Sequence, residues 1–443
     1  MPELSDGRAT EGRVGDGRAT DGRVGDVRAG LNGAGPPLPL DGIRVLEYAQ
    51  YVAGPFAGML LADLGADVIK VEAPAGDAWR RYEPFGDGES RYFHALNRNK
   101  RSVVIDLKSE QGREHSERLI AGADAVIHNF PPETAAAYGL DRASVGELNP
   151  RAVWCCVSAF GSAGPASDLR AFDLVAQALS GLLLADVRPG DTVPRRAGGI
   201  AMADFTAGLL AALAVLAGLL SVGRNGRGGT GLEVSLLGAA LAVQAQRFVS
   251  VESIDAPARS SRAGGPPFAT PADLAAHAAR TVAGEELEPY YRAYRAADGF
   301  FVVACLNDRQ RRAVLAVTGT SDRFVSNPQA PPADGAERSE RVAHVRAVED
   351  VFAGQPLGVW IARLRGAGVP SAEVRTLDQL YDDPQAQANG LVASVQAPGI
   401  GTVRQLGSVF KVDGRAAPVD RPAPTLGQHT AEILGELGAQ VLR

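Results

Sequence analysis

The residues best placed to do chemistry lie in one stretch, Pro194 to Leu220. It opens on Arg195, Arg196, Gly198 and Gly199 and then sets a single carboxylate, Asp204, before a run without charge from Phe205 to Leu220. Such a run predicts a helix buried nearly all round. An acid at its entry has two readings. It can cap the helix, since aspartate is a favoured N-cap and its anion suits the positive end of the helix dipole. It can also be a nucleophile held at the rim of a core, forming a covalent intermediate with an activated carbonyl. If it is both, the dipole should lower its pKa and keep it ionised. The amides of Gly198 and Gly199 are candidate donors to a developing oxyanion. Other reactive types are dispersed. The six histidines show no HExxH, and Cys155, Cys156 and Cys305 have no metal-ligand spacing, so no metal site is expected.

The elements that must position Asp204 follow from the rest of the chain. A chain of 443 residues exceeds one ordinary core, so two domains are expected. A net charge of −6 gives no reason to expect nucleic acid or an anionic membrane as partner. Few cysteines and no apolar leader segment point to a reducing, cytoplasmic setting. The uncharged run from Phe205 to Leu220 falls short of the roughly 20 residues that span a bilayer, so it reads as core. Residues 1–37 repeat the pattern DGRATEGRVG, DGRATDGRVG with almost nothing apolar, and read as a disordered leader or, alternatively, a binding arm.

From Pro37 the composition becomes globular. Ile43 to Tyr48 reads as a strand, Met59 to Leu64 as helix after Gly54-Pro55, and Asp67 to Glu72 as the next strand. That β–loop–α–β unit predicts a doubly wound parallel sheet, an α/β fold. Its glycine turn lacks GxGxxG and is a weak nucleotide signal. Strands are expected at 102–106, 125–128 and 152–158, helices at 109–121, 133–138 and 172–184, and a helix from Ser235 to about Val251. Residues 255–288 read as a connection, with Gly264-Gly265 as a candidate substrate loop. Phe300 to Cys305 opens a smaller unit with helices near 308–317, 337–352 and 357–367.

Taken together the motifs resemble the family III CoA-transferases, the group that includes formyl-CoA transferase, carnitine CoA-transferase and alpha-methylacyl-CoA racemase. The resemblance covers about residues 38–443. It is carried by Leu40-Asp-Gly-Ile-Arg-Val-Leu-Glu, Ala53-Gly-Pro-Phe-Ala-Gly, Leu61-Ala-Asp-Leu-Gly-Ala-Asp-Val-Ile-Lys-Val-Glu and Gly76-Asp-Ala-Trp-Arg. Asn99-Lys-Arg-Ser, Asp106-Leu-Lys, Asn129-Phe, Phe172-Asp-Leu-Val-Ala-Gln, Ala203-Asp-Phe-Thr-Ala-Gly and Gly226-Arg-Gly-Gly-Thr-Gly follow in order. The resemblance implies a Rossmann-like large domain, residues 38–225 joined by 371–443, and a smaller α+β domain at 226–370. It also implies two chains threaded as interlocked rings, an intertwined homodimer.

The activity so implied is transfer of coenzyme A between an acyl-CoA thioester and a carboxylic acid, with Asp204 as catalytic nucleophile, CoA as substrate and no permanently bound cofactor. CoA would lie against Val52 and Ala53, along Ile105, Asp106 and Lys108, and beside Asn129 and Phe130. Ile105 and Phe130 read equally as core, and Lys108 as a solvated helix-entry lysine. Characterised relatives often carry basic residues at the positions of Ala73, Ala137 and Ser158. Either Arg80 and Arg98 substitute for them or the thioester is held differently. Racemases of the family pair the aspartate with a histidine at the position of Phe172, which transfers no proton, so CoA transfer is favoured over racemisation. Asp173 reads as a support for the site, a helix cap or a surface acid. A racemase using another base and a non-catalytic CoA-binding homologue are the alternatives.

Overall fold

The structure is a computed structural model and describes residues 37–85, 89–226, 228–253, 270–282 and 284–441. The leader up to residue 36, Arg227 and the Gly264-Gly265 loop lie outside the described residues.

Six parallel strands form the main sheet: β1 (Arg44–Tyr48), β2 (Asp67–Glu72), β3 (Arg101–Val104), β4 (Ala125–His128), β5 (Val153–Ser158) and β6 (Gly231–Ser235). Their spatial order is β3-β2-β1-β4-β5-β6. This is the doubly wound order, which reverses direction between β1 and β4 and opens a crevice at their carboxyl ends. Both faces of such a sheet are covered by helices, so its strands are apolar on both sides. Val45 and Leu46 are adjacent in β1, yet they enter different cores. Beneath one face lie α1 (Ala53–Asp63) and α4 (Met202–Asn225), with Ala57, Leu61, Ala207, Ala211 and Val215 in the core. Beneath the other lie α2 (Glu110–Ala121) and the C-terminal helix Thr430–Val441, contributing Leu119, Ile120, Ile433 and Leu437. The C-terminal helix therefore closes the layer begun by the first strands. The sheet also runs past residue 225, since β6 and the helix after it, α5 (Leu236–Ala242), pack on β5 and α4.

A separate core gathers Tyr290, Tyr294, Phe301, Phe352, Trp360 and Leu364. It is built by an antiparallel sheet of Tyr291–Arg295, Phe300–Ala304 and Ser371–Glu373 with helices Asp308–Thr318, Gly335–Ala353 and Leu357–Gly366.

Several elements differ from the sequence reading. The helix expected over 172–184 is α3 (Asp173–Leu179), ended where Gly181 takes φ 79°. A left-handed residue cannot continue an α-helix. The helix from Ser235 stops at Ala242, and a helix, Pro271–Val282, stands inside the expected connection, with Leu274 and Ala278 one turn apart on its buried side. Helix α4 has 24 residues and among the described residues is the one helix long and apolar enough to cross a membrane. It is not buried all round. Leu209, Leu213 and Leu220 are 52–61% exposed, because α1 and the sheet cover only one of its sides. On that covered side Gly208 is obligatory. A Cβ there would lie 2.7 Å from the Ala53 carbonyl oxygen and 3.0 Å from Phe56 Cδ1.

Candidate active site at the sheet's switch point

The carboxyl ends of β1 and β4 lead into two loops that are bonded to each other. The Gln50 amide donates to Asn129 Oδ1 at 3.0 Å, and Asn129 Nδ2 donates to the Gln50 carbonyl at 2.8 Å. The Asn129 side chain thus holds the loops in register rather than projecting free. Below the first loop lies a buried charge network. Lys70 Nζ reaches Glu47 at 2.8 Å, the Ala49 carbonyl at 2.8 Å and Asp77 at 2.9 Å, and Lys100 Nζ reaches Glu47 at 2.7 Å and the Pro55 carbonyl at 2.8 Å. Asp77 in turn accepts the amide of Tyr51, whose φ of 68° is held by this bond. Buried charges are tolerated only when paired and hydrogen-bonded, which these are.

Above the loops opens a cavity of about 530 Å³. Val52, Ala53, Asn129, Phe130 and Asp204 all line it. Ile105, Asp106 and Lys108 line a smaller hollow of about 130 Å³ together with Ala73 and Tyr138. Gln50 and Phe130 border both. The structure therefore brings the expected nucleophile and the expected CoA-contacting residues to two adjoining hollows at the switch point. Lys108 is exposed at its hollow, with no carboxylate partner among the described residues.

Asp204 is not the cap of its helix. The N-cap position is Ala201, which has no capping side chain, and Asp204 is the third helical residue. The cap comes from α3. Asp173 Oδ1 accepts the Ala203 amide at 2.9 Å and the Asp204 amide at 3.4 Å. No described side chain donates a hydrogen bond to the Asp204 carboxylate itself. The expectation of a lowered pKa is also corrected. Burial, and secondly the charge of Asp173, push the Asp204 carboxyl up to about 7, with Arg196 pulling the other way. Desolvation and a like charge outweigh the helix dipole here. The expected oxyanion donors are not in place either. Gly198 and Gly199 form a turn at φ 58° and 70°, the Gly199 amide donates to the Arg196 carbonyl, and neither glycine lines the cavity.

The two arginines expected to replace missing basic residues are already engaged. Arg80 makes a bidentate pair with Glu72 at 2.7 and 2.8 Å, and Arg98 does the same with Asp63 at 3.1 and 2.6 Å. Both are buried, and they brace β2 and α1 instead of facing a ligand. Ser158 lines the cavity and donates to Glu233 at 3.0 Å, whereas Ala137 ends a short surface helix, Pro132–Ala137. Phe172 is 62% exposed at the cavity, its ring edge-on to Tyr51 at 5.3 Å.

Three residues of the site were not legible as such. His128 is buried in the cavity wall, its Nδ1 accepts the Phe130 amide at 3.3 Å, and its Nε2 has no partner. Burial lowers its pKa to about 4, so it is neutral. Its place just before Asn129-Phe130 was the available signal. Arg142 lies across Gly231, where a Cβ would come within 2.4 Å of the arginine side chain. Cys156 lines the same cavity, but burial raises its thiol to about 12, which removes it as a nucleophile.

The sequence profile of CoA-transferase family III matches residues 40–430. The chain is 33% identical over 417 residues to the succinate–glutarate CoA-transferase of Agrobacterium fabrum, covering 90% of this chain and 96% of that protein. It is 30% identical over 402 residues to the human succinyl-CoA:glutarate CoA-transferase, covering 90% and 86%. A crystal structure of a CaiB/BaiF family protein from Brucella suis superposes with a TM-score of 0.69 at 29% identity, over 91% of this chain and 100% of that one. The likeness spans the main sheet, helix α4 and the C-terminal segment alike, so the chain belongs to CoA-transferase family III and is an enzyme that transfers CoA between an acyl-CoA thioester and a carboxylic acid.

Proposed function

We propose that Asp204 is the nucleophile of this transfer. A carboxylate oxygen of Asp204 attacks the donor thioester carbonyl, the C–S bond breaks, and CoA leaves as the thiolate, with an aspartyl–acyl anhydride on the enzyme. The thiolate then attacks the aspartyl carbonyl, releasing the donor acid as its carboxylate and leaving CoA as a thioester on Asp204. The acceptor carboxylate attacks that thioester and forms a second anhydride, from which the thiolate takes the acyl group. Each step exchanges one acyl derivative for another of similar energy, the gain usual in nucleophilic catalysis. The observation that carries the reading is the Asp204 carboxylate itself. It opens into the cavity at the switch point, with its oxygens free of hydrogen bonds from described side chains.

CoA fits the two hollows in one direction. Its nucleotide end lies along Ile105, Asp106 and Lys108 with Lys108 on a phosphate, and its pantetheine arm passes Phe130, Val52 and Ala53 to Asp204. The apolar side chains of Phe130, Phe172 and Leu236 in the cavity wall limit water, which would hydrolyse the intermediates. Racemisation would need a second proton carrier across from Asp204. Phe172 is none, and the Nδ1 lone pair of neutral His128 is taken by the Phe130 amide, which leaves it no free basic nitrogen. The proposal extends to a cytoplasmic enzyme acting as an intertwined homodimer, with a large domain of 38–225 and 371–443 that also takes in β6 and α5, a small domain that ends near 370, and Gly264-Gly265 shaping the acid pocket.

Hydroxylamine trapping tests nucleophile and intermediate together. Incubation with acyl-CoA and hydroxylamine should leave a hydroxamate on the peptide containing Asp204, found by mass spectrometry, and Asp204→Asn should abolish exchange of labelled CoA between acids. Full exchange in that variant would sink the assignment.

A further inference from the structure

Asp173 holds more than a cap requires. It is a carboxylate, 4% exposed, on an element other than the helix it caps. Its Oδ1 takes the Ala203 and Asp204 amides, and its Oδ2 takes Gln177 Nε2 at 2.7 Å. Gln177 also donates to the Ile200 carbonyl at 3.1 Å and accepts the Ala197 amide at 3.0 Å. The pair Asp173–Gln177 thereby fixes both the turn before α4 and the first turn of α4 on α3. The nearest cation, Arg196, stands 3.8 Å from Asp173 and is half exposed, so it compensates the charge only in part.

We infer that Asp173 is a positioning residue for Asp204: through the Ala203 and Asp204 amides it sets where the nucleophile stands, and its fixed negative charge beside the nucleophile favours the acylated over the free carboxylate. The inference rests on Asp204 being the nucleophile. Asp204 and Asp173 are two carboxylates in unequal surroundings. One accepts hydrogen bonds on both oxygens, the other on neither, so the repulsion between them falls on Asp204. Acylation removes that repulsion. As the Asp204 oxygen bonds to the thioester carbon and the C–S bond breaks, the negative charge leaves with the CoA thiolate and a neutral anhydride remains beside Asp173. Burial is the first cause of the upward shift of Asp204, and the part that Asp173 adds is the same effect read with a proton in place of an acyl group. The remaining charged and titratable groups around the cavity are Tyr51, His128, Asp141, Arg142, Cys156, Asp168, Arg170 and Glu233. Of these Asp141 is occupied in capping its own helix and Glu233 is bonded to Ser158.

The test titrates Asp204 directly. Full-length enzyme carrying 13C at the aspartate side-chain carboxyl is followed by infrared difference spectroscopy, with the Asp204 band identified by its loss in Asp204→Asn. In the unaltered enzyme the band should titrate near pH 7. Asp173→Asn keeps an oxygen for the two amides and removes the charge, so the titration should move down by about one pH unit or more. The acidic limb of kcat should shift with it, and the yield of trapped acyl-enzyme at neutral pH should fall, while KM for acyl-CoA stays within about twofold. Asp173→Ala, which also loses the acceptor, should lower kcat further. An Asp204 band that titrates in Asp173→Asn as it does in the unaltered enzyme overturns the inference. Because infrared reads the carboxyl and not turnover, a shifted band together with no hydroxamate on Asp204 in the unaltered enzyme would instead refute Asp204 as nucleophile and leave the coupling of Asp173 to Asp204 intact.

Discussion

At the scale of residues, the site is an exposed conflict between stability and reactivity. Asp204 is an acid kept from water beside a second acid, and that arrangement costs folding energy whenever Asp204 is ionised. Its folded pKa, about 7, lies above the ordinary carboxylate value, so the native state holds a proton that the unfolded chain has lost. Stability from this group is therefore fully present below about pH 4 and is lost as pH rises toward about 7. Asp204→Asn, neutral throughout, should be more stable than the unaltered enzyme at pH 8 by an amount on the order of 2–4 kcal/mol and should have no such advantage at pH 4. Thermal denaturation at the two pH values checks this, and an equal advantage at both would contradict the shift. Activity has the opposite dependence. Turnover needs the ionised carboxylate, so kcat should fall as pH drops through about 7. Arg80 and Arg98 are committed to Glu72 and Asp63, and Lys108, the cation lining the smaller hollow, is the proposed contact for a CoA phosphate. Lys108→Ala should raise KM for acyl-CoA roughly tenfold or more with kcat little changed, as loss of one charge-assisted contact would.

At the scale of elements, the position of Asp204 depends on how closely α4 approaches α1. Gly208 lies one turn beyond Asp204 and touches the Ala53 carbonyl, so the two ends of the cavity wall, Ala53 and Asp204, are set by one contact. A larger residue must push the helices apart. Gly208→Val should destabilise the fold by about 1–3 kcal/mol, the range for overpacking a filled core. It should also lower kcat, because it separates the nucleophile from the loop that begins α1. Urea denaturation and steady-state rates measure both, and a variant with unchanged stability would refute the close approach of α4 to α1.

At the scale of the whole molecule, large apolar side chains remain exposed, and two groups of them lie on regular elements. Leu209, Leu213 and Leu220 form a stripe along α4, and Tyr291, Phe300, Leu306 and Val374 cluster on and beside the smaller antiparallel sheet. Contiguous apolar surface of this kind is characteristic of a protein interface. The proposed intertwined dimer predicts a solution mass near twice 46.1 kDa by light scattering. A single-chain mass at micromolar concentration would refute it.

Much of this protein was legible in its sequence, and the reason is local. Short apolar runs placed the strands expected at 125–128 and 152–158, found at 125–128 and 153–158, and a capping serine placed the helix after Ser109, because both signals act over a few residues. Ordered motifs also picked out Asp204, Phe130 and Lys108 as site residues, and the fold brings them to adjoining hollows. What the sequence could not determine was who answers whom across distance. It left Asp204 as a candidate cap with a lowered pKa, whereas folding supplies the cap from Asp173, 31 residues away, and with it the charge that raises the pKa. It left Arg80 and Arg98 as candidate phosphate ligands, whereas folding buries both against carboxylates. Propensity is a property of neighbours in the chain. Desolvation and charge pairing are properties of neighbours in space, and only the tertiary structure decides those.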